Sequence, residues 1–173
     1  MRYDSSLRRA IVKSLLLGAA LLSGCASFNG HGLIPGKSVP AEVEALMGPP
    51  AMRVVRDSGE SLWYYPRQPT GLQTFVVRFS PAGVVQDIEQ RLTEQNLQKL
   101  VPGATTTTEA RELLGPPWRS SHNFLQHRDV WDYRMYNASQ LEHNLHVQFS
   151  DDGLLREVVF IEDRKVSGSR GKR

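Results

Sequence analysis

The chain has 173 residues, a single cysteine, 40% hydrophobic and 23% charged residues, and a formal net charge of +3. That length suits one ordinary domain or two small ones. The composition is globular, which excludes a disordered or collagen-like chain, and one cysteine excludes a disulfide framework or a thiolate zinc site. The positive charge sits at the ends: residues 1–24 hold Arg2, Arg8, Arg9 and Lys13 against Asp4, and residues 164–173 hold five cations and no acid. Between them, residues 25–163 carry 12 basic and 17 acidic residues, a net of −5. A nucleic-acid-binding domain groups its cations on the folded body, so no nucleic-acid partner is expected.

Residues 1–13 are basic, residues 14–22 are apolar, and Leu22-Ser23-Gly24-Cys25 follows at once. A basic start, a short apolar run and small residues at the cut predict a secretory signal peptide over 1–24. The apolar run is too short for a spanning helix, which needs roughly 20 residues. Leu-Ser-Gly-Cys resembles the lipobox of bacterial lipoproteins. The resemblance implies that Cys25 becomes the first residue and carries a diacylglycerol thioether and an N-acyl chain such as palmitate. It also implies, with Ala26 in place of an aspartate, residence at the outer membrane. Residues 25–32 form the lipidated cysteine and a short tether; fully extended, 26–32 reach roughly 25 Å, which keeps the body close to the membrane.

The remainder is one unit written twice. Leu33-Ile34-Pro35-Gly36 returns as Leu100-Val101-Pro102-Gly103, and Leu46-Met47-Gly48-Pro49-Pro50 as Leu113-Leu114-Gly115-Pro116-Pro117, both at an offset of 67. Trp63-Tyr64-Tyr65 returns as Trp131-Asp132-Tyr133 at 68, and Val77-Arg78-Phe79-Ser80 as Val147-Gln148-Phe149-Ser150 at 70. The spacing predicts a first module over 33–92, a linker helix and second module over 93–163, and a basic disordered tail over 164–173.

Taken in chain order, Ser38 and Pro40 predict the start of a helix whose apolar face is Val43, Leu46 and Met47, and Gly48 with two prolines predicts its end. Phe75, Val77 and Phe79 then alternate with wetter positions as in a half-buried strand. Pro81-Ala82-Gly83 predicts a tight turn into Val84–Ile88. A short helix from Thr93 to Leu100 joins the copies. In the second copy, Thr106-x-x-Glu109 predicts a capping box for a helix presenting Ala110, Leu113 and Leu114. Leu145, Val147 and Phe149 alternate in a strand, and Asp151-Asp152-Gly153 turns into Leu154–Ile161. Helix first, then an antiparallel meander, is an α+β arrangement with helices on one sheet face.

A glycine before a capped helix, Leu-x-Gly-Pro-Pro, Trp-x-Tyr, and Phe-Ser-x-x-Gly before a hydrophobic strand resemble the SmpA/OmlA (BamE-like) family of outer-membrane lipoproteins. The resemblance covers about 33–92 and 100–162. It implies a helix-then-strands fold facing the periplasm from the outer membrane, with protein partners that include the β-barrel assembly machine. The tandem pair is also similar to the β-lactamase-inhibitor proteins, where two such copies form a concave protein-binding sheet. Two functions follow as expectations: an accessory role in outer-membrane protein assembly or envelope maintenance, and alternatively an inhibitor-like module for a periplasmic enzyme. A purely structural envelope lipoprotein is a third.

Trp63, Tyr65, Trp131 and Tyr133 recur in both copies, either as a binding platform or as each module's own helix-to-sheet packing. If Trp63 and Phe79 point inward, the alternation turns Tyr64 and Arg78 outward, and in the second copy Asp132, Arg134, His146 and Gln148 likewise. These outward positions differ between copies while the inward ones repeat. They are the candidate partner-binding residues on an open sheet face, the alternative being a plain solvated face. His122, His127, His143 and His146 lack Cys or carboxylate companions at zinc-ligand spacing. Catalytic motifs are absent from the sequence. The expectation is therefore a binding protein without cofactor, metal or small-molecule substrate, held to the membrane through Cys25.

Overall fold

The computed structural model describes residues 29–162. The signal peptide, Cys25, the start of its tether and the basic tail, all expected from the sequence, lie outside the described residues. Helix α1 (Pro40–Met47) begins at Pro40 because proline holds φ near the helical value and lacks the N–H that a first turn leaves unpaired. Its N-cap is Val39 rather than Ser38. Val39 has no side-chain acceptor to offer, but its own N–H donates to Glu42 Oε2 at 3.1 Å. Ser38 instead closes the preceding turn, its Oγ accepting the Ile34 N–H at 3.0 Å. Gly48 ends the helix with φ of 81°, a conformation that costs glycine nothing and an L side chain much.

Strands β1 (Met52–Val55), β2 (Ser61–Pro66), β3 (Thr74–Phe79) and β4 (Val85–Gln90) follow as an antiparallel meander in that order. Helix α2 (Glu94–Leu97), capped by Thr93 Oγ1 on the Asn96 N–H at 3.2 Å, is shorter than the expected span to Leu100. Helix α3 (Thr107–Leu114) has its capping box closed both ways. The Thr106 Oγ1 accepts the Glu109 N–H at 3.2 Å, and Glu109 Oε2 accepts the Thr106 N–H at 2.8 Å. The second meander is β5 (Arg119–Asn123), β6 (Arg128–Tyr136), β7 (Glu142–Ser150) and β8 (Leu155–Glu162). The fold is thus α+β, two similar modules each built on a separate four-stranded antiparallel sheet.

The duplication extends to irregularities. A register shift at Arg78/Phe79 returns at Gln148/Phe149. The Gly36 N–H donates to the Val85 carbonyl and the Val85 N–H to the Ser38 carbonyl, both at 2.8 Å, and Gly103, Leu155 and Thr105 repeat the pair at 2.7 and 2.8 Å. In the first core Val43 and Met47 of α1 pack on Trp63, Tyr65, Val77, Phe79 and Val85. In the second, Ala110 and Leu114 of α3 pack on Trp131, Tyr133, Met135, Leu145, Val147 and Phe149. Trp63 meets Phe79 at 4.7 Å and 56°, and Trp131 meets Phe149 at 4.6 Å and 54°. The recurrent aromatics are therefore buried core, which fits helix-to-sheet packing and not an exposed platform.

The modules also pack on each other. The far face of the first sheet carries a second apolar cluster, Leu62, Tyr64 and Val76 with Met52 and Val54, and the C-terminal end of α3 lies against it. The Tyr64 hydroxyl donates to the Glu112 carbonyl at 2.8 Å. Glu112 belongs to the last turn of α3, where carbonyls have no intrahelical partner. Gly115 approaches so closely that a Cβ there would meet Thr74 Cγ2 at 2.6 Å and Tyr64 Cδ1 at 3.4 Å. Beside this, the loop after β2 reaches β6 beyond the end of β5. The Arg134 N–H donates to Gln68 Oε1 and Arg134 Nη1 to the Pro69 carbonyl, both at 2.9 Å.

Candidate functional site

Register assigns the two faces of the second sheet. Arg119 pairs with Asp132, Asp132 with His146, and His146 with Val159, so these four share the face opposite α3. The Asp132 carboxylate is 5% exposed and is held from both sides, by Arg119 Nε at 2.5 Å and by His146 Nδ1 at 2.7 Å. Arg128 Nη1 donates to Gln148 Oε1 at 3.0 Å and to Glu157 Oε1 at 2.5 Å. Arg134 is ion-paired with Glu142. A hollow of about 180 Å³ opens over this network between Trp118, Asn144, His146 and Ile161. Each guanidinium and carboxylate already answers another, so the face is a cross-braced polar surface.

Tyr64 requires a correction. It does turn away from α1, as alternation predicts, but the face it turns to is not open: Tyr64 is 0% exposed, buried beneath α3. Asp132 also departs from the expectation of an exposed contact residue, being buried at 4% exposure within its ion pairs. Arg78 is half-buried on the first sheet, 2.8 Å from Glu89 and 3.5 Å from Asp87, with Arg91 on Glu89 at 2.8 Å. The hydrogen bond to Glu89 pushes its guanidinium pKa further up. Arg134 is spent partly on the first module. His146 and Gln148 remain partly accessible on the open face. The six candidates thus divide between two sheets and a module interface and do not converge on one site.

Among the described residues, no three of His, Cys, Asp and Glu gather closely enough to hold a metal ion. His122 faces Asp129, His127 faces Asp151 and His146 faces Asp132. His143 lies on the other face of β7, buried at 8% exposure.

Two features escaped the sequence reading. The β5–β6 hairpin tip presents Phe124 and Leu125, 81% and 96% exposed, on a turn held by Asn123 Oδ1, which accepts the Leu125 and Gln126 N–H groups. The matching positions of the first module are Asp57 and Ser58. On β8, Val158-Val159-Phe160-Ile161 is unbroken apolar sequence where the first module reads Ile88-Glu89-Gln90-Arg91. Aligning the copies at the offset of 70 already displays the latter contrast; what made it matter was the position of β8 at a sheet edge.

Burial also marks the tyrosines. Loss of hydration pushes the Tyr64 and Tyr65 hydroxyls up to about 12 from an ordinary 10, with Glu44 adding to the effect at Tyr65. Burial pushes Tyr133 higher still, its hydroxyl donating to the Gly115 carbonyl at 2.9 Å. These phenols stay neutral in the folded chain while the unfolded chain ionises near 10. Stability is therefore fully present below pH 10 and falls as pH rises from 10 towards 12, by about 1.4 kcal/mol per unit and per tyrosine. Urea midpoints between pH 8 and 11.5 check this, and Tyr64→Phe is expected to make the alkaline slope shallower by one proton.

The described residues thus form a duplicated α+β module whose second sheet carries a braced polar face. Residues 90–158, which span the second module, match the family described as the outer membrane protein assembly factor BamE domain. The first module repeats its motifs and topology outside the matched span. Among solved structures, the chain is similar to a DUF4309 family protein from Bacillus subtilis at 19% identity, over 76% of this chain and 83% of that one, with a TM-score of 0.29. It is also similar to a proposed β-lactamase inhibitor protein from Streptococcus mutans at 12% identity, over 80% and 90%, again with a TM-score of 0.29. Likeness at this level is too loose to carry a function. No curated protein matches the chain.

Proposed function

We propose that this protein is a lipoprotein anchored to the outer membrane through Cys25, faces the periplasm, and acts through protein contacts, without catalysis, as an accessory factor in assembling β-barrel outer-membrane proteins. The observation that carries this reading is the match of residues 90–158 to the BamE domain family. The Leu-Ser-Gly-Cys25 sequence behind a basic and apolar leader supports the anchor. Several acyl chains, at about 0.8 kcal/mol per buried methylene, hold a protein where one chain does not. The short tether then confines both modules to the layer where barrels are inserted.

A cross-linked pull-down of the full-length chain from detergent-solubilised outer membranes tests the role. Subunits of the barrel-assembly machinery are expected to co-purify with the wild type and to be lost with Cys25→Ala. Recovery of a single periplasmic enzyme would replace the assembly role with an inhibitor-like one. Recovery of bulk lipoproteins alone would leave the assembly role without support.

A further inference from the structure

β8 is an edge of the second sheet, paired through its backbone with β7 on one side. On the other side the loop carrying Gly103 and Thr105 covers it at Leu155 only. Among the described residues, no backbone group pairs with residues 157–161 there. Such a row of free N–H and C=O groups is a template for another strand, and natural edges guard it with charge, proline or a covering segment. The first module guards the same edge. Its β4 and the residue after it carry Asp87, Glu89, Gln90 and Arg91, and the Gln90 side chain folds back onto the Thr74 and Leu92 N–H groups at 3.1 and 2.8 Å. β8 keeps an acid at Glu157 but replaces Glu89, Gln90 and Arg91 with Val159, Phe160 and Ile161, the last two each 50% exposed. The fold tolerates a guarded edge in one copy, so folding does not demand the bare edge in the other.

Beside this edge runs a groove of about 610 Å³, its apolar wall made by Leu97, Leu100, Met135, Val158 and Phe160. His143 also lines it. The Nε2 of His143 meets Asn137 Nδ2 at 2.8 Å, while its Nδ1 is buried with no partner. Asn137 Oδ1 accepts the Leu141 N–H, so its amide nitrogen donates to Nε2 and the imidazole proton sits on the unanswered Nδ1. A buried ring nitrogen without a protein partner is uncommon in a folded chain. The first module has Gln73 at that position. Of the charged residues lining the groove, Arg156 is paired with Asp152 and Glu157 with Arg128, while the Glu94 carboxylate accepts the Ala138 N–H.

We propose that β8 and this groove bind an extended polypeptide segment with apolar residues at alternate positions, which joins the second sheet as a fifth strand. Only an extended chain answers a free strand edge, and period-two alternation sends every second side chain into the groove. Among the described residues the groove's Arg156 and Glu157 are each ion-paired and its wall is mainly apolar, which favours a neutral segment over an acidic or basic one. The inference rests on the proposed function for the source of the segment, since alternating apolar residues are the pattern of an uninserted barrel strand.

The test uses the full-length lipidated protein in nanodiscs and two neutral ten-residue peptides of one composition, with apolar residues either alternating or in a block. The alternating peptide is expected to bind and to slow amide exchange at residues 157–161. The variant Val159→Glu/Phe160→Gln/Ile161→Arg transplants the guarded edge that folds in the first module, and is expected to weaken binding at least tenfold. The β5–β7 amides, unchanged in exchange, show that the variant is folded. Phe160→Lys alone gives a second reading in the same direction. Equal binding of the block peptide, or binding without protection of 157–161, overturns the proposal. So does a wild-type dimer that the same variant dissociates, because a second copy would then own the edge. Failure here with intact co-purification of the assembly machinery removes this inference and leaves the proposed function standing.

Discussion

Gly115→Ala is expected to destabilise the protein far more than Gly48→Ala, although the two glycines end equivalent helices with nearly the same backbone. Their φ values are 85° and 81° with ψ close to 180°, a region essentially reserved for glycine, and an alanine forced into it costs about 1–3 kcal/mol. At Gly48 nothing lies within 4 Å of the added Cβ, so that is the whole penalty. At Gly115 the Cβ would stand 2.6 Å from Thr74 Cγ2. Thr74 is 0% exposed and sits within β3, its N–H bonded to Gln90, so the methyl has little room to retreat. Overpacking of this kind adds about 1–3 kcal/mol. Thr74→Ser removes the offending methyl, and the Gly115→Ala/Thr74→Ser pair is expected to recover most of the difference. Denaturant midpoints of the four variants measure it. Equal costs for the two glycines would mean that α3 does not press on the first sheet.

Tyr64→Ala is expected to cost about 3–5 kcal/mol, as truncation of a large buried aromatic does, whereas Tyr64→Phe loses one hydrogen bond, worth about 0.5–1.5 kcal/mol. The ring is fully buried between the first sheet and the end of α3, and its hydroxyl satisfies the Glu112 carbonyl. A residue on an open face would behave otherwise, with alanine changing stability by no more than about 0.5 kcal/mol. Because Tyr64 and Gly115 share one contact, Tyr64→Ala and Gly115→Ala are expected to be non-additive by more than about 0.5 kcal/mol. A double variant whose cost is the plain sum would separate Tyr64 from the module interface. Equilibrium unfolding of the single and double variants decides between these outcomes.

The tandem units, the α+β class, the helix stops at Gly48 and Gly115, and the inward set from Trp63 to Phe79 and from Trp131 to Phe149 were all legible in the chain. Each depends on something local. A capping box spans four residues, a strand face repeats every two, and a duplicated core writes the same apolar residues twice. Ser38 was misplaced because a serine one residue before Val39 satisfies the sequence signature of a cap as well as that of a turn. Its hydrogen bond to Ile34 separates the two.

Tyr64 and Asp132 show what the chain could not disclose. They occupy the same position of the repeat, at an offset of 68, and both turn away from their own module's helix. The sequence determined that the two copies differ there and that these side chains leave the first core. Only the tertiary structure decided what each would meet. The end of α3 covers the far face of the first sheet, so Tyr64 packs and donates to its last turn, while among the described residues no helix covers the far face of the second sheet, where Asp132 takes Arg119 and His146 as partners. The difference between copies is thus a difference in covering, and covering is a contact between segments far apart in the chain. β8 follows the same logic: its apolar run is written in the sequence, but a sheet edge exists only once the strands have chosen their neighbours. Period and propensity act over a few residues and can be read from them, whereas docking of one module on another is settled by shapes that exist only after both have folded.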